Sequence, residues 1–103
     1  MVTRIRIDKK EVEAFCQRWK IAELSVFGSV LRDDFRPDSD VDVLVRFEPS
    51  ARYGLFAVAR MQEELQVILG RPVDLVVRSE IERSRNYIRR KEILGSLEPI
   101  YAT

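Results

Sequence analysis

Ten residues separate Gly28-Ser29 from Asp40-Val41-Asp42, and together these residues hold the parts of a phosphate and metal chemistry. Gly28 carries no Cβ, so a phosphate can approach its backbone, and Ser29 adds a hydroxyl and an N–H at the start of a helical turn. Two aspartates on one strand face stand about 7 Å apart at Cβ, and their carboxylate arms can converge on hard cations roughly 3.5 to 4 Å apart. Two magnesium ions would suit such a set.

Each half has an ordinary alternative when taken alone. Gly-Ser also makes a plain strand-to-helix turn with a serine cap, and Asp-x-Asp also makes the solvated face of an edge strand. Aspartate is a poor strand former, however, and here it occurs at Asp40 and Asp42 amid Val41, Val43, Leu44 and Val45, then again at Asp74 within Val73 to Val77. If the two strands are neighbours, Asp74 joins Asp40 and Asp42 on one face, and three like charges there would require cations for relief. Asp33, Asp34 and Asp38 follow no ligand spacing and read as solvated turn residues.

The elements that must position these groups are legible in the periodicity. Asp8 with Glu11 resembles a capping box, and Val12, Phe15, Cys16 and Trp19 recur at helical spacing, with Cys16 expected in the core. Ile21 to Phe27 alternates as a strand that ends at Gly28, and Val30 to Phe35 could form a short helical segment. In Asp40 to Phe47, Val41, Val43, Val45 and Phe47 share one face while Asp40, Asp42, Leu44 and Arg46 share the other. Tyr53 to Leu69 reads as the longest helix, with Leu55, Val58, Met61 or Gln62, Leu65, Ile68 and Leu69 on its apolar stripe and Gly70 and Pro72 as stop signals. Val73 to Val77 is a short strand, and Ser79 with Glu82 is a second capping box that opens a polar helical tail loosened by Gly95 and Pro99. Tyr53 and Phe56 serve either the core or a partner contact. The order predicts an α/β fold of the α+β kind, a small mixed β-sheet flanked by helices, in one domain spanning 1–103.

Composition removes many other chemistries. Histidine is absent, which excludes Ser-His hydrolysis, His-ligated zinc and histidine-based ribonuclease action within the chain. One cysteine cannot form an intrachain disulfide, and a reducing, cytoplasmic setting fits. With 18 Lys and Arg against 17 Asp and Glu, the net charge of +1 gives no general attraction to nucleic acid or membrane. The basic run from Arg83 to Lys91 reads as a solvated helix face, and no apolar run approaches the roughly 20 residues of a membrane helix.

The stretch Phe27-Gly28-Ser29-Val30-Leu31-Arg32 through Ser39-Asp40-Val41-Asp42-Val43-Leu44-Val45 closely resembles the signature of the DNA polymerase β-like nucleotidyltransferase superfamily. The shortness of the chain and its Pro-Asp-Ser-Asp-Val-Asp-Val-Leu-Val wording are similar to the minimal nucleotidyltransferases, the antitoxins of HEPN/MNT toxin–antitoxin pairs. The resemblance implies a polymerase β-like nucleotidyltransferase fold and Mg2+-dependent transfer of AMP from ATP to a tyrosine hydroxyl of a partner HEPN ribonuclease toxin, which neutralises it in a type VII-like system. It also implies roles: Gly28 and Ser29 hold the triphosphate with help from Arg32, Asp40 and Asp42 bind two metals, and Asp74 completes the catalytic set. Asp33 departs from the glycine that many relatives carry after the arginine, placing a negative charge near the phosphate path.

A rival expectation is an antitoxin that neutralises its toxin by covering it, without chemistry; the three aspartates argue against that loss. Transfer to a small molecule such as an aminoglycoside is a third reading, but the chain has no room for the helical domain such enzymes use to hold the acceptor.

Overall fold

A computed structural model describes residues 7–28, 40–83, 85–95 and 97–102. Ser29, Arg32, Asp33, Asp34, Asp38 and the helical segment expected at 30–35 lie outside the described residues.

Helix α1 (Lys9–Arg18) starts where the Asp8 carboxylate accepts from the backbone N–H groups of Lys10 and Glu11, satisfying donors that a helix start leaves orphaned. It buries Val12, Phe15 and Cys16 and turns into β1 (Ile21–Phe27) through Lys20, a non-glycine residue at φ +54°. Strand β2 (Val41–Phe47) runs antiparallel to β1, while β3 (Val73–Val77) lies parallel to β2 on its far side. The crossover between β2 and β3 is helix α2 (Leu55–Leu69), closed at Gly70, whose φ of +67° is the left-handed cap geometry that glycine adopts without strain.

The sheet order is β3-β2-β1-β4, so the mixed sheet expected from the pattern is present. Its apolar face packs under α1 and α2: Leu24 and Val26 from β1, Val41, Val43 and Val45 from β2, and Val73 and Leu75 from β3 meet Phe15, Met61 and Leu65. The opposite face carries a smaller cluster in which Phe27 and Leu44 lie under Ile81 and Ile93. Leu44 shares its face with the aspartates, as the alternation requires, and is buried by this second helical layer.

The tail differs from the expected single helix. It divides into α3 (Arg78–Glu82), α4 (Tyr87–Gly95) and a fourth strand, β4 (Glu98–Ala102), which pairs antiparallel with the outer edge of β1. Pro99 lies in that strand because β4 is at the sheet edge, where a residue without an N–H costs least, and the register slips between Leu24 and Ser25 opposite it. Ser79 is not the cap of α3; β3 runs straight into the helix, the cap position falls on Val77, and no side chain bonds there. The long helix begins at Leu55 rather than Tyr53, leaving Tyr53 to pack edge-on against Trp19 and tilted against Phe47, with centroids 5.5 and 5.1 Å apart. Leu55, expected on the buried stripe, is 83% exposed at the first turn.

Candidate active site

The chemistry expected of β2 and β3 depends on their relative register. Strand β2 meets β3 with Val41 opposite Val73, Asp42 opposite Asp74 and Val43 opposite Leu75. Register partners in parallel strands share a face about 4.8 Å apart. The valines and leucine go down into the core, and Asp42 and Asp74 therefore rise together on the other face. Asp42 is half-buried and Asp74 exposed.

Across the sheet, Asp42 is also the register partner of Phe27, the last residue of β1. Gly28 follows at φ +75°, and a Cβ placed on it would stand 2.5 Å from Asp42 Oδ2 and 3.4 Å from Cγ. The space that glycine leaves is thus occupied by the Asp42 carboxylate. Gly28, proposed for phosphate approach, also makes room for the acid.

Asp40 is exposed and precedes the ladder, whose first bond at this end runs from the Val41 N–H to the Pro72 carbonyl at 2.9 Å. Asp40 is the residue immediately before β2 and two positions from Asp42. Among the described residues no group of three or more His, Cys, Asp or Glu gathers as a cation cage. The structure brings Asp42, Asp74 and Gly28 together and leaves Asp40 beside them. The donors of the pair are hard carboxylate oxygens, the type magnesium prefers, so the chemistry of the set fits that metal.

Two residues that position this site carry no catalytic signature in the sequence. Gln62 and Gln66, one turn apart on α2, accept from the backbone N–H groups of Leu75 and Val73 at 2.9 and 3.0 Å. These are the residues on either side of Asp74, and their N–H groups point to the free edge of β3. The glutamines occupy edge donors that a sheet otherwise leaves open, and they tie the Asp74 backbone to the helix. Their spacing of four beside an aspartate-bearing strand is the only trace in the sequence.

The same sheet face has a different character at its other end. Glu23 ion-pairs with Arg46 at 3.6 Å and with Arg78 at 3.5 Å, and its Oε1 accepts from the buried Ser25 hydroxyl at 3.4 Å. Glu23 so bridges groups from β1, β2 and the start of α3, separated from Asp42 and Asp74 by the apolar row of Leu44 and Val76. A cavity of about 360 Å³ opens at this far end, lined by Phe47, Tyr53, Leu55, Val77 and Arg83 among others, and contains none of the expected site residues. Arg83, which caps α3, Arg85, which precedes α4, and Lys91 on α4 are all exposed, so these basic residues are solvated but do not form the single helix face expected. No helix among the described residues is long and apolar enough to cross a membrane.

Comparison with known proteins bears on the family and the fold. A family model described as nucleotidyltransferase domain matches residues 9–94. The chain is 41% identical over 76 residues to protein adenylyltransferase MntA of Thermococcus cleftensis, an alignment covering 72% of this chain and 70% of that protein. A toxin–antitoxin crystal structure with AMP-PNP superposes with a TM-score of 0.70 at 18% identity, covering 94% of this chain and 75% of that one. A tri-AMPylated Shewanella oneidensis HEPN toxin in complex with MNT antitoxin gives a TM-score of 0.62 at 18% identity, with coverage of 92% and 70%. At such identity these two structures speak to the fold they share with this chain.

Proposed function

Since the chain belongs to the nucleotidyltransferase domain family, we propose that it is a protein adenylyltransferase, transferring AMP from ATP to a tyrosine hydroxyl of a HEPN ribonuclease toxin and thereby acting as the antitoxin of a type VII-like pair. The observation that carries this reading is the pairing of Asp42 with Asp74 on one sheet face beside Gly28. The name of the Thermococcus relative supports the transferred group, and the antitoxin complexes that share the fold support the kind of partner.

In this reading a single minimal domain spanning 1–103 supplies one wall of the cleft and the toxin the other. Magnesium would be held by Asp40, Asp42 and Asp74, and when bound it supplies neutralisation of triphosphate charge and Lewis acidity. Gly28, whose Cβ position is taken by the Asp42 carboxylate, offers its backbone to the triphosphate, and Ser29 and Arg32 complete the phosphate contacts. Asp74, the more open carboxylate of the pair, faces the acceptor and takes the phenol proton. The phenol oxygen forms its bond to the α-phosphorus as the bond to the β-phosphate bridge breaks, and pyrophosphate leaves.

The test is the intact mass of the toxin after incubation with this protein, Mg2+ and ATP, beside an Asp42→Asn control. A gain of whole AMP units that is absent in the control, located by peptide mapping on tyrosine, is expected. A stable complex with no gain would overturn transfer in favour of neutralisation by binding alone.

A further inference from the structure

Helix α2 presents a second ordered surface, unrelated to the carboxylates. Its buried residues Met61, Leu65 and Leu69 face the sheet. At about 100° per residue, Phe56, Arg60, Glu63 and Val67 fall within an arc of about 60° directly opposite that buried line. Phe56 is 94% and Val67 83% exposed, among the largest exposures of any apolar side chain described. Arg60 and Glu63 are exposed as well, and neither takes part in an ion pair among the described residues. Glu64, the next acid along, is already engaged by Arg18 and by the Trp19 indole N–H.

The order along this stripe is apolar, positive, negative, apolar, and its spacing is symmetric about the midpoint between Met61 and Gln62. Antiparallel juxtaposition with an identical helix sets Phe56 against Val67 of the other copy and Arg60 against Glu63, each contact occurring twice. That is the self-complementarity a two-fold interface demands. The alternative parallel arrangement would set Arg60 on Arg60 and Glu63 on Glu63, which like-charge repulsion disfavours. We infer that the outer face of α2 is a homodimer surface, occupied by a second copy of this chain in antiparallel orientation.

One helix stripe buries much less than the roughly 800 Å² per partner of a standard interface, so the dimer is weak and forms at high micromolar concentration or above. The ion pairs are exposed, so added salt weakens it. Because α2 covers the face of the sheet opposite Asp42 and Asp74, the two candidate sites of the dimer face outward and away from each other.

Sedimentation velocity of the purified chain from micromolar to about millimolar concentration tests this. Reversible dimerisation is expected, with Arg60→Glu and Glu63→Arg each weakening self-association about tenfold or more. Mixing these two variants is the decisive arm. The Arg60→Glu chain carries two acids and the Glu63→Arg chain two bases on the stripe, so they pair with each other more tightly than either does with itself. All positions are exposed on a helix, and circular dichroism of each variant confirms that the fold is kept. A wild-type chain that stays monomeric throughout, variants that associate like wild type, or a mixture with no preference for the heterodimer would each overturn the proposal.

Discussion

The Asp42 carboxylate lies in the space where a side chain on Gly28 would begin, 2.5 Å from the position of a Cβ. The two residues come from different strands and are joined by the Phe27–Asp42 register of the β1–β2 pair. Gly28→Ala therefore does two things: it forces a non-glycine residue to φ +75°, a strain of about 1 kcal/mol, and it displaces the acid. The expected result is a small loss of thermal stability with a loss of transfer activity of about tenfold or more, read by comparing melting temperature with AMP incorporation.

Asp42 and Asp74 repel each other across the β2–β3 ladder, and like charges directly opposite cost up to about 1 kcal/mol. Asp74→Asn is expected to abolish transfer while leaving the metal-free protein as stable as wild type or slightly more so. Mg2+ should raise the melting temperature of wild type and do so less for the variant. Thermal shift with and without Mg2+, run beside the transfer assay, reads both; a variant that retains turnover would remove Asp74 from the catalytic set.

How much of this was legible in the sequence depends on the range over which each residue acts. The period-two alternation of Val41 to Phe47 and Val73 to Val77 assigned the faces and put Asp74 with the other aspartates only on condition that the strands were neighbours; the parallel β2–β3 pairing and the register that sets Asp74 opposite Asp42 are long-range relationships that the local pattern does not contain. Strand β4 was not legible, because Ile100 and Tyr101 are its only large apolar residues and Pro99 argues against a strand unless the sheet edge is known. Ser79 mimics a helix cap, but β3 leads into α3 without a loop and the cap rule has no turn on which to act. The approach of Gly28 to Asp42 and the glutamine bonds to β3 are contacts between elements, which leave no period behind.

Those glutamines give a third prediction. Gln62→Ala and Gln66→Ala each leave an edge N–H of β3 to water, at a cost of about 1 kcal/mol. The double variant should lower transfer more than its stability loss explains, because it releases the backbone on both sides of Asp74. Hydrogen exchange at Val73 and Leu75 should rise in the corresponding single variants, with Gln62 governing Leu75 and Gln66 governing Val73.

Burial pushes the Cys16 thiol from its ordinary 9.0 up to about 12. The native chain therefore holds this proton over a range in which the unfolded chain has lost it. The stability this contributes is complete below about pH 9 and is lost as pH rises toward about 12, by up to about 1.4 kcal/mol per pH unit. Urea denaturation at several pH values in that window should show a decline that Cys16→Ala flattens. At pH 8 a thiol reagent should label Cys16 only as fast as the protein opens.

Lys20 occupies the left-handed region at φ +54° between α1 and β1, where its carbonyl accepts from the Glu48 N–H at 2.9 Å. Glycine takes this conformation without the Cβ penalty, offset in part by its greater freedom when unfolded. Lys20→Gly is expected to stabilise by about 0.5 kcal/mol and raise the melting temperature by roughly 2 to 4 °C, measured calorimetrically.

The placement of β4 also sets a schedule for biosynthesis. Strand β1 ends at Phe27 and the strand that covers its outer edge begins at Glu98, about 70 residues later in the chain. At ~5–20 residues per second, that edge waits for several seconds after β1 has been made. During the wait the row of open backbone groups on the outer edge of β1 is a template for any other strand, an exposure that ends only when β4 is made and pairs with it.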